Sequence, residues 1–230
     1  MLRLEGVVID NGGFRLGADL AIETGHKVAI IGPSGAGKST LIGGLAGFHP
    51  VAAGRMTWKG TDLTGTAPGA RPLAMLFQDG NLFPHLTVAQ NVGLGLNPNL
   101  RLDGGQWARV DTALAHVGLQ GMGTRKPAAL SGGQQSRAAL ARVLIQGRPV
   151  LLLDEPFAAL GPALKAEMLD LVDQLVAETG ATLLMVSHDP QDARRIADQV
   201  ILVAEGMAHP PQETARLLDN PPPALRAYLG

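Results

Sequence analysis

The chain has 230 residues, 46% of them apolar, a formal charge of −1 and no cysteine. Such a length fits one domain or a core with an inserted subdomain, the charge gives no reason to expect nucleic acid, and the missing thiols exclude disulfides and thiolate metal sites. No run approaches the roughly 18 apolar residues of a membrane span and Met1–Gly6 lacks a signal-peptide centre, so a cytoplasmic protein reaching a membrane only through a partner is expected.

In chain order, Leu2, Leu4 and Val8 run into the turn residues of 10–13, and residues 14–22 alternate apolar with polar. That pattern predicts a hairpin and hence an antiparallel sheet beside the main core. Residues 28–31 read as the end of a buried strand, and Lys38 opens a short helix with Leu41, Ile42 and Leu45 on one side. Residues 54–58 and 73–77 predict short strands, with a loop at 68–72. Three helices follow, over 86–96 with Thr87 as N-cap, over 106–117 and over 131–146. They predict a helical insert, residues 78–146, in a core made of 1–77 and 147–230. Strands resume at 150–153 and 181–186, separated by an amphipathic helix over 162–178 that sets Lys165, Glu167, Asp170 and Asp173 off its apolar face. Residues 200–204 predict a last strand, and the Pro-rich tail is too short for a second domain. The alternation of strands and helices predicts an α/β fold around a parallel sheet.

Gly32, Pro33, Ser34, Gly35, Ala36, Gly37, Lys38, Ser39 and Thr40 hold the pattern Gly-x-x-x-x-Gly-Lys-Ser between a strand and a helix, which is a phosphate loop in its required context. Glycines let backbone N–H groups converge on phosphate oxygens, the helix N-terminus adds partial positive charge, Lys38 supplies a point charge and Ser39 a hydroxyl suited to Mg²⁺. Asp154 and Glu155 end an apolar strand at the edge where open α/β sheets bind ligands. Alternation along the strand predicts Asp154 facing Mg²⁺ and Glu155 an attacking water; an acidic strand-to-loop turn is the plainer alternative. His188 and Gln78 also follow strand ends, where one could bond a γ-phosphate oxygen and the other bind Mg²⁺ or orient water. A structural histidine and a solvated turn glutamine remain open. Ser131, Gly132, Gly133 and Gln134 open a helix, as an anion-binding N-terminus or an ordinary serine cap.

Leu130-Ser-Gly-Gly-Gln134, with Gln78, Asp154-Glu155 and His188 in order, resembles the ATP-binding-cassette family over nearly the whole chain. The resemblance implies a P-loop NTPase (RecA-like) core with a flanking antiparallel sheet and a helical signature subdomain, with ATP and Mg²⁺ as ligands. It makes Lys38, Glu155 and His188 catalytic, puts Ser39, Gln78 and Asp154 on the metal, and adds residues 32–40, Gln78 and 131–134 as nucleotide contacts. It also implies a head-to-tail homodimer on transmembrane permease subunits, peripheral to the cytoplasmic face of the bacterial inner membrane, served indirectly by a periplasmic substrate-binding protein. Residues 75–98 resemble more narrowly the ATPase subunits of bacterial thiamine importers, which implies thiamine or a thiamine phosphate as cargo. Phe83, Pro84 and His85 are expected in the docking surface, and residues 78–88 as the relay to it.

Three positions depart from the family pattern. Gly161 stands where relatives carry Asp, Asn11 stands where an aromatic stacks on adenine and leaves Phe14 as the nearest substitute, and Gln135-Ser136 replaces Arg-Gln. An importer for another small solute, a soluble non-transport cassette and a small-molecule kinase are the rival expectations.

Overall fold

The computed structural model describes residues 1–78, 80–223 and 225–226. Strands β1 (Leu2–Asn11) and β2 (Phe14–Ile22) form the expected hairpin, with Asn11 opposite Phe14. Then come β3 (Lys27–Ile31), α1 (Lys38–Ala46), β4 (Val51–Trp58), β5 (Thr61–Asp62) and β6 (Leu73–Leu76). The insert supplies α2 (Val88–Gly93), α3 (Gly104–His116) and α4 (Gly132–Leu144), each opened by a side-chain capping box at Thr87, Asp103 or Ser131. The chain returns through β7 (Val150–Asp154), α5 (Pro162–Thr179), β8 (Thr182–Val186), α6 (Pro190–Ile196) and β9 (Gln199–Ala204). It closes with β10 (Met207–Ala208), β11 (Gln212–Glu213) and α7 (Thr214–Asp219).

One sheet path runs β5-β4-β1-β2-β10-β9-β3-β8-β7-β6, with β11 beside β9. Its β5-β4-β1-β2 half is antiparallel and its β9-β3-β8-β7-β6 half is parallel; the short β10 joins them, parallel to β2 and antiparallel to β9. Every residue of β8 is buried, as a parallel strand covered on both faces demands. The register aligns Ile30 with Val186, Val186 with Asp154 and Leu153 with Leu76. The carboxyl ends of β3, β8, β7 and β6 therefore share one edge, and the loops carrying Gly32, His188, Glu155 and Gln78 start from it.

Helix α1 is buried nearly all round, not on one side as its short apolar stripe suggests. It lies between the two halves of the sheet, touching a core that includes Ile9, Leu16 and Met56 on one side and Leu152 and Leu184 on the other. Its carboxyl end meets the buried Arg71, whose guanidinium donates to Gly44 O and Leu45 O, both at 2.7 Å. This cation on the last carbonyls stabilises the end of the dipole opposite the phosphate loop. The second core packs Met168, Leu169, Val172 and Val176 of α5 on Leu151, Leu153 and Leu183, and continues into Val92, Val110 and Leu140 of the insert. Each such side chain stabilises the fold by about 1.5–3 kcal/mol on burial.

Several boundaries differ from expectation. Helix α2 is shorter than 86–96 because residues 94–97 tighten into turns, and β4 starts at Val51 because pairing with β1 extends it. Helices α6 and α7 are too short to show a period in sequence; they close a third core through Ala193, Leu217 and Leu218 over Ile31 and Leu202. No described helix is long and apolar enough to cross a membrane.

Candidate active site

Beyond β3 the chain needs glycine for steric reasons. Gly32 has φ 153°, and a Cβ there would sit 2.0 Å from the Val203 carbonyl oxygen of β9. Gly37, with φ 108°, is the N-cap of α1, and a Cβ on it would strike the Phe14 ring at 2.8 Å. No side chain caps this helix N-terminus, so its partial positive charge faces the loop. Lys38 is 8% exposed, with Nζ donating to Gly32 O at 2.8 Å and Pro33 O at 3.0 Å. Burial pushes its pKa down, against the pull of Glu155 and Asp154. The Ser39 hydroxyl donates to Asp154 Oδ1 at 3.4 Å. Burial pushes the Asp154 carboxyl up, the Ser39 bond and Lys38 opposing it and Glu155 adding to it. Hydroxyl and carboxylate are a hard-oxygen pair of the kind Mg²⁺ takes when phosphates complete its shell. Among the described residues no group of three His, Cys, Asp or Glu could hold a metal ion.

Asp154 and Glu155 diverge for a different reason from the one expected. β7 ends at Asp154, and Glu155 turns into the left-handed region at φ 44° while its N–H donates to Val186 O at 3.3 Å. The turn, not strand alternation, separates the two carboxylates. Glu155 lines the same 370 Å³ cleft as Asn11, Phe14, Gly35, Lys38 and Ser39. Its Oε2 lies 3.6 Å from His188 Nδ1. The His188 turn is held from behind: Ser187 donates to Asp192 Oδ2 at 2.6 Å, and Lys165 of α5 reaches Asp189 at 2.5 Å and Asp192 at 2.7 Å. Burial works against the Lys165 charge, but the two carboxylates outweigh it and raise its pKa, and the Lys165 bond is the main cause lowering that of Asp189. The helical period sets Lys165 off the apolar face of α5 but does not reveal Asp189 and Asp192 as its partners.

Residues 131–134 and Gln78 stand apart from this cleft. Gln78, Gly132, Gln135 and Leu160 line a separate groove of 640 Å³. Ser131 caps α4 with an oxygen that accepts from Gln134 N at 3.3 Å, while Gln134 Oε1 accepts from Ser131 N at 3.0 Å. Gly161 caps α5 in extended backbone without a side-chain bond, and a Cβ there meets nothing within 4 Å. Nothing steric therefore requires glycine at that departure. At the second departure, Asn11 Nδ2 donates to Thr40 Oγ1 at 3.4 Å, and the cleft's aromatic is Phe14, 39% exposed. Gln135 Nε2 donates to Pro127 O at 3.1 Å and Ser136 Oγ to Gly132 O at 3.2 Å, so both residues of the third bond within the insert.

The sequence model of the ABC transporter family matches residues 16–158, from β2 through the loop after β7. The chain belongs to the ABC transporter family. Among curated relatives, proteins named thiamine import ATP-binding protein ThiQ from Ruegeria sp. (strain TM1040) and Cereibacter sphaeroides are 66% and 60% identical, each over the whole of both chains. Among solved structures, a dimeric post-hydrolysis state of the ATP-binding cassette MJ0796 with ADP and Pi superposes with TM-score 0.79 and 29% identity, covering 93% of this chain and 99% of that one. The joined parallel and antiparallel halves and the helical insert are thus the mixed α/β fold of an ABC ATPase.

Proposed function

We propose that the chain is the ATP-hydrolysing subunit of an importer for thiamine or a thiamine phosphate. It works as a homodimer on the cytoplasmic face of the inner membrane, beneath permease subunits that a periplasmic binding protein loads. The observation that carries the ATPase half of this reading is the incomplete site: one cleft gathers Lys38, Ser39 and Glu155, with Asp154 bonded to Ser39, while the exposed Ser131 and Gly132 open a helix N-terminus elsewhere. A second chain placed head to tail supplies the missing wall, in keeping with the dimeric cassette this chain resembles. The thiamine half rests on the names of its full-length relatives.

ATP enters with its phosphates against the N–H groups of 32–40 and the N-terminus of α1. Lys38 exchanges the carbonyls of Gly32 and Pro33 for phosphate oxygens. Ser39 and Asp154, already in contact, are the residues that would hold Mg²⁺, which neutralises charge on the phosphate oxygens when bound, and Gln78, now lining the separate groove, would join them only on moving towards the cleft. Glu155 orients and deprotonates the attacking water, and His188, 3.6 Å from Glu155, bonds a γ-phosphate oxygen. The partner's 131–134 stabilise charge on the leaving phosphate. Residues 78–146 move as an insert on the core of 1–77 and 147–230, with 78–88 relaying closure towards a docking surface around Phe83, Pro84 and His85.

The test is Glu155→Gln with ATP and Mg²⁺. Size-exclusion chromatography is expected to show a persistent nucleotide-loaded dimer with little turnover, and normal turnover would sink the role given to Glu155. For the cargo, the chain purified from detergent-solubilised membranes is expected to bring a permease whose reconstituted vesicles take up labelled thiamine. Uptake of another solute in preference would overturn that half alone.

A further inference from the structure

Helix α4 bears residues 131–134 at one end, Ser131 and Gly132 of them exposed, and Arg142 at the other. The Arg142 guanidinium is half-buried and donates to Gly80 O at 2.6 Å and Asn81 O at 2.7 Å. Gly80 and Asn81 are both left-handed, with φ 62° and 47°. Successive residues of one helical hand point their carbonyls the same way, so one planar fork can take both, which the single ammonium of a lysine cannot do equally well. A left-handed asparagine is tolerated but uncommon, and it persists where neighbours hold it. The rest of the segment is also tied to the insert: the buried Asn91 of α2 accepts from Phe83 N at 2.7 Å and donates to Phe83 O at 3.0 Å. Gln78 thus lies between the end of β6 at Leu76 and the first anchored carbonyl at Gly80. A shift of α4 relative to the parallel sheet is carried by Arg142 to the carbonyls of Gly80 and Asn81, close in sequence to Gln78.

We propose that Arg142 is a positioning residue that ties Gln78 to α4, so that what residues 131–134 meet in a partner chain is felt at Gln78 of the same chain. The connecting rod is the 13-residue α4, about 20 Å long at helical rise. The proposal rests on the roles given above to Gln78 and to 131–134. It adds a link between the nucleotide a chain holds in its own cleft and the nucleotide it covers on its partner.

The experiment is a double-mutant cycle in the full-length chain, with kcat and KM for ATP measured for Gln78→Ala, Arg142→Met and both together. Each single change is expected to lower kcat about tenfold with KM changed less than about twofold, as for residues that orient a metal or water ligand. The double variant is expected to be no slower than either single, because both remove one function. Hydrogen exchange at residues 80–82 is expected to quicken in Arg142→Met while the core strands stay protected. Should Arg142→Met fail to fold, Arg142→Lys takes its place in the cycle and is expected to lose most of the same rate. Single effects that multiply to about a hundredfold, or a folded Arg142→Lys protein with unchanged kcat, would overturn the role of Arg142. A Gln78→Ala protein at full rate would instead overturn the role of Gln78, and the link with it, so the two failures are told apart.

Discussion

Two helix N-termini in this chain open on glycine-rich sequence, and they are built in opposite ways. The first, at Lys38, has a left-handed glycine for an N-cap and no side-chain bond to its amides. The second, at Gly132, is closed by the reciprocal bonds of Ser131 and Gln134. The first is also strained electrostatically, with burial disfavouring both the Lys38 ammonium and the Asp154 carboxylate. The second is relaxed and exposed. The difference teaches that one end leaves its amides without a side-chain partner, while the other satisfies its own through the capping box.

The largest expected effect breaks the first end. Lys38→Ala is expected to lower ATP turnover by about 10²–10³-fold, in line with losing one preorganised charge on the transferred group; retained hydrolysis would refute the phosphate-loop role. Gly37→Ala forces a Cβ into left-handed backbone against Phe14, at a cost of about 1–3 kcal/mol, read by chemical denaturation. Ser131→Ala removes the cap of α4 at a cost of about 1 kcal/mol. In contrast to the first two changes, it is expected to leave monomer nucleotide affinity unchanged in calorimetry while weakening the ATP-dependent dimer.

Two smaller effects sharpen the contrast. Because the Asp154 pKa is raised in the fold, its contribution to stability is complete below the ordinary aspartate range and is lost as pH rises through the raised value. Above that value the buried carboxylate is a net cost, so Asp154→Asn is expected to raise the melting temperature of the nucleotide-free protein while abolishing turnover. That gain is expected to vanish as the pH of the melt falls towards the ordinary aspartate range. Gly161→Asp adds a side-chain cap to α5 worth only a few tenths of a kcal/mol. Its informative readout is the ATPase rate of the dimer or membrane complex, where no change would mean that the departure at Gly161 is silent.

Much of this was legible in one dimension. The phosphate loop, the Asp154-Glu155 strand end, the signature and the long helix at 162–179 depend on residue type, local spacing and hydrophobic period, and each lies where expected within a few residues. The tail was not legible, because α6, α7 and β10 are too short to carry a period and are selected by what they cover. Nor were the partners of the charges on α5. Lys165 meets Asp189 and Asp192, Glu167 meets Arg137, Asp170 meets Arg195 and Asp173 meets Lys27. Periodicity identifies such a polar face but says nothing of the elements that pack beside it.

By itself the sequence determined which chemical groups are present and where the chain must turn, since backbone sterics, caps and hydrophobic spacing act over a handful of residues. Only the tertiary structure decided which groups share a cleft. Sheet register brought Ser39 to Asp154 and Glu155 to His188, a left-handed turn at Glu155 did what strand alternation was expected to do, and Ser131 and Gly132 were left exposed outside the cleft. The physical reason is that pairing across a sheet and packing across a core join residues far apart in the chain, and no local propensity records such a pairing.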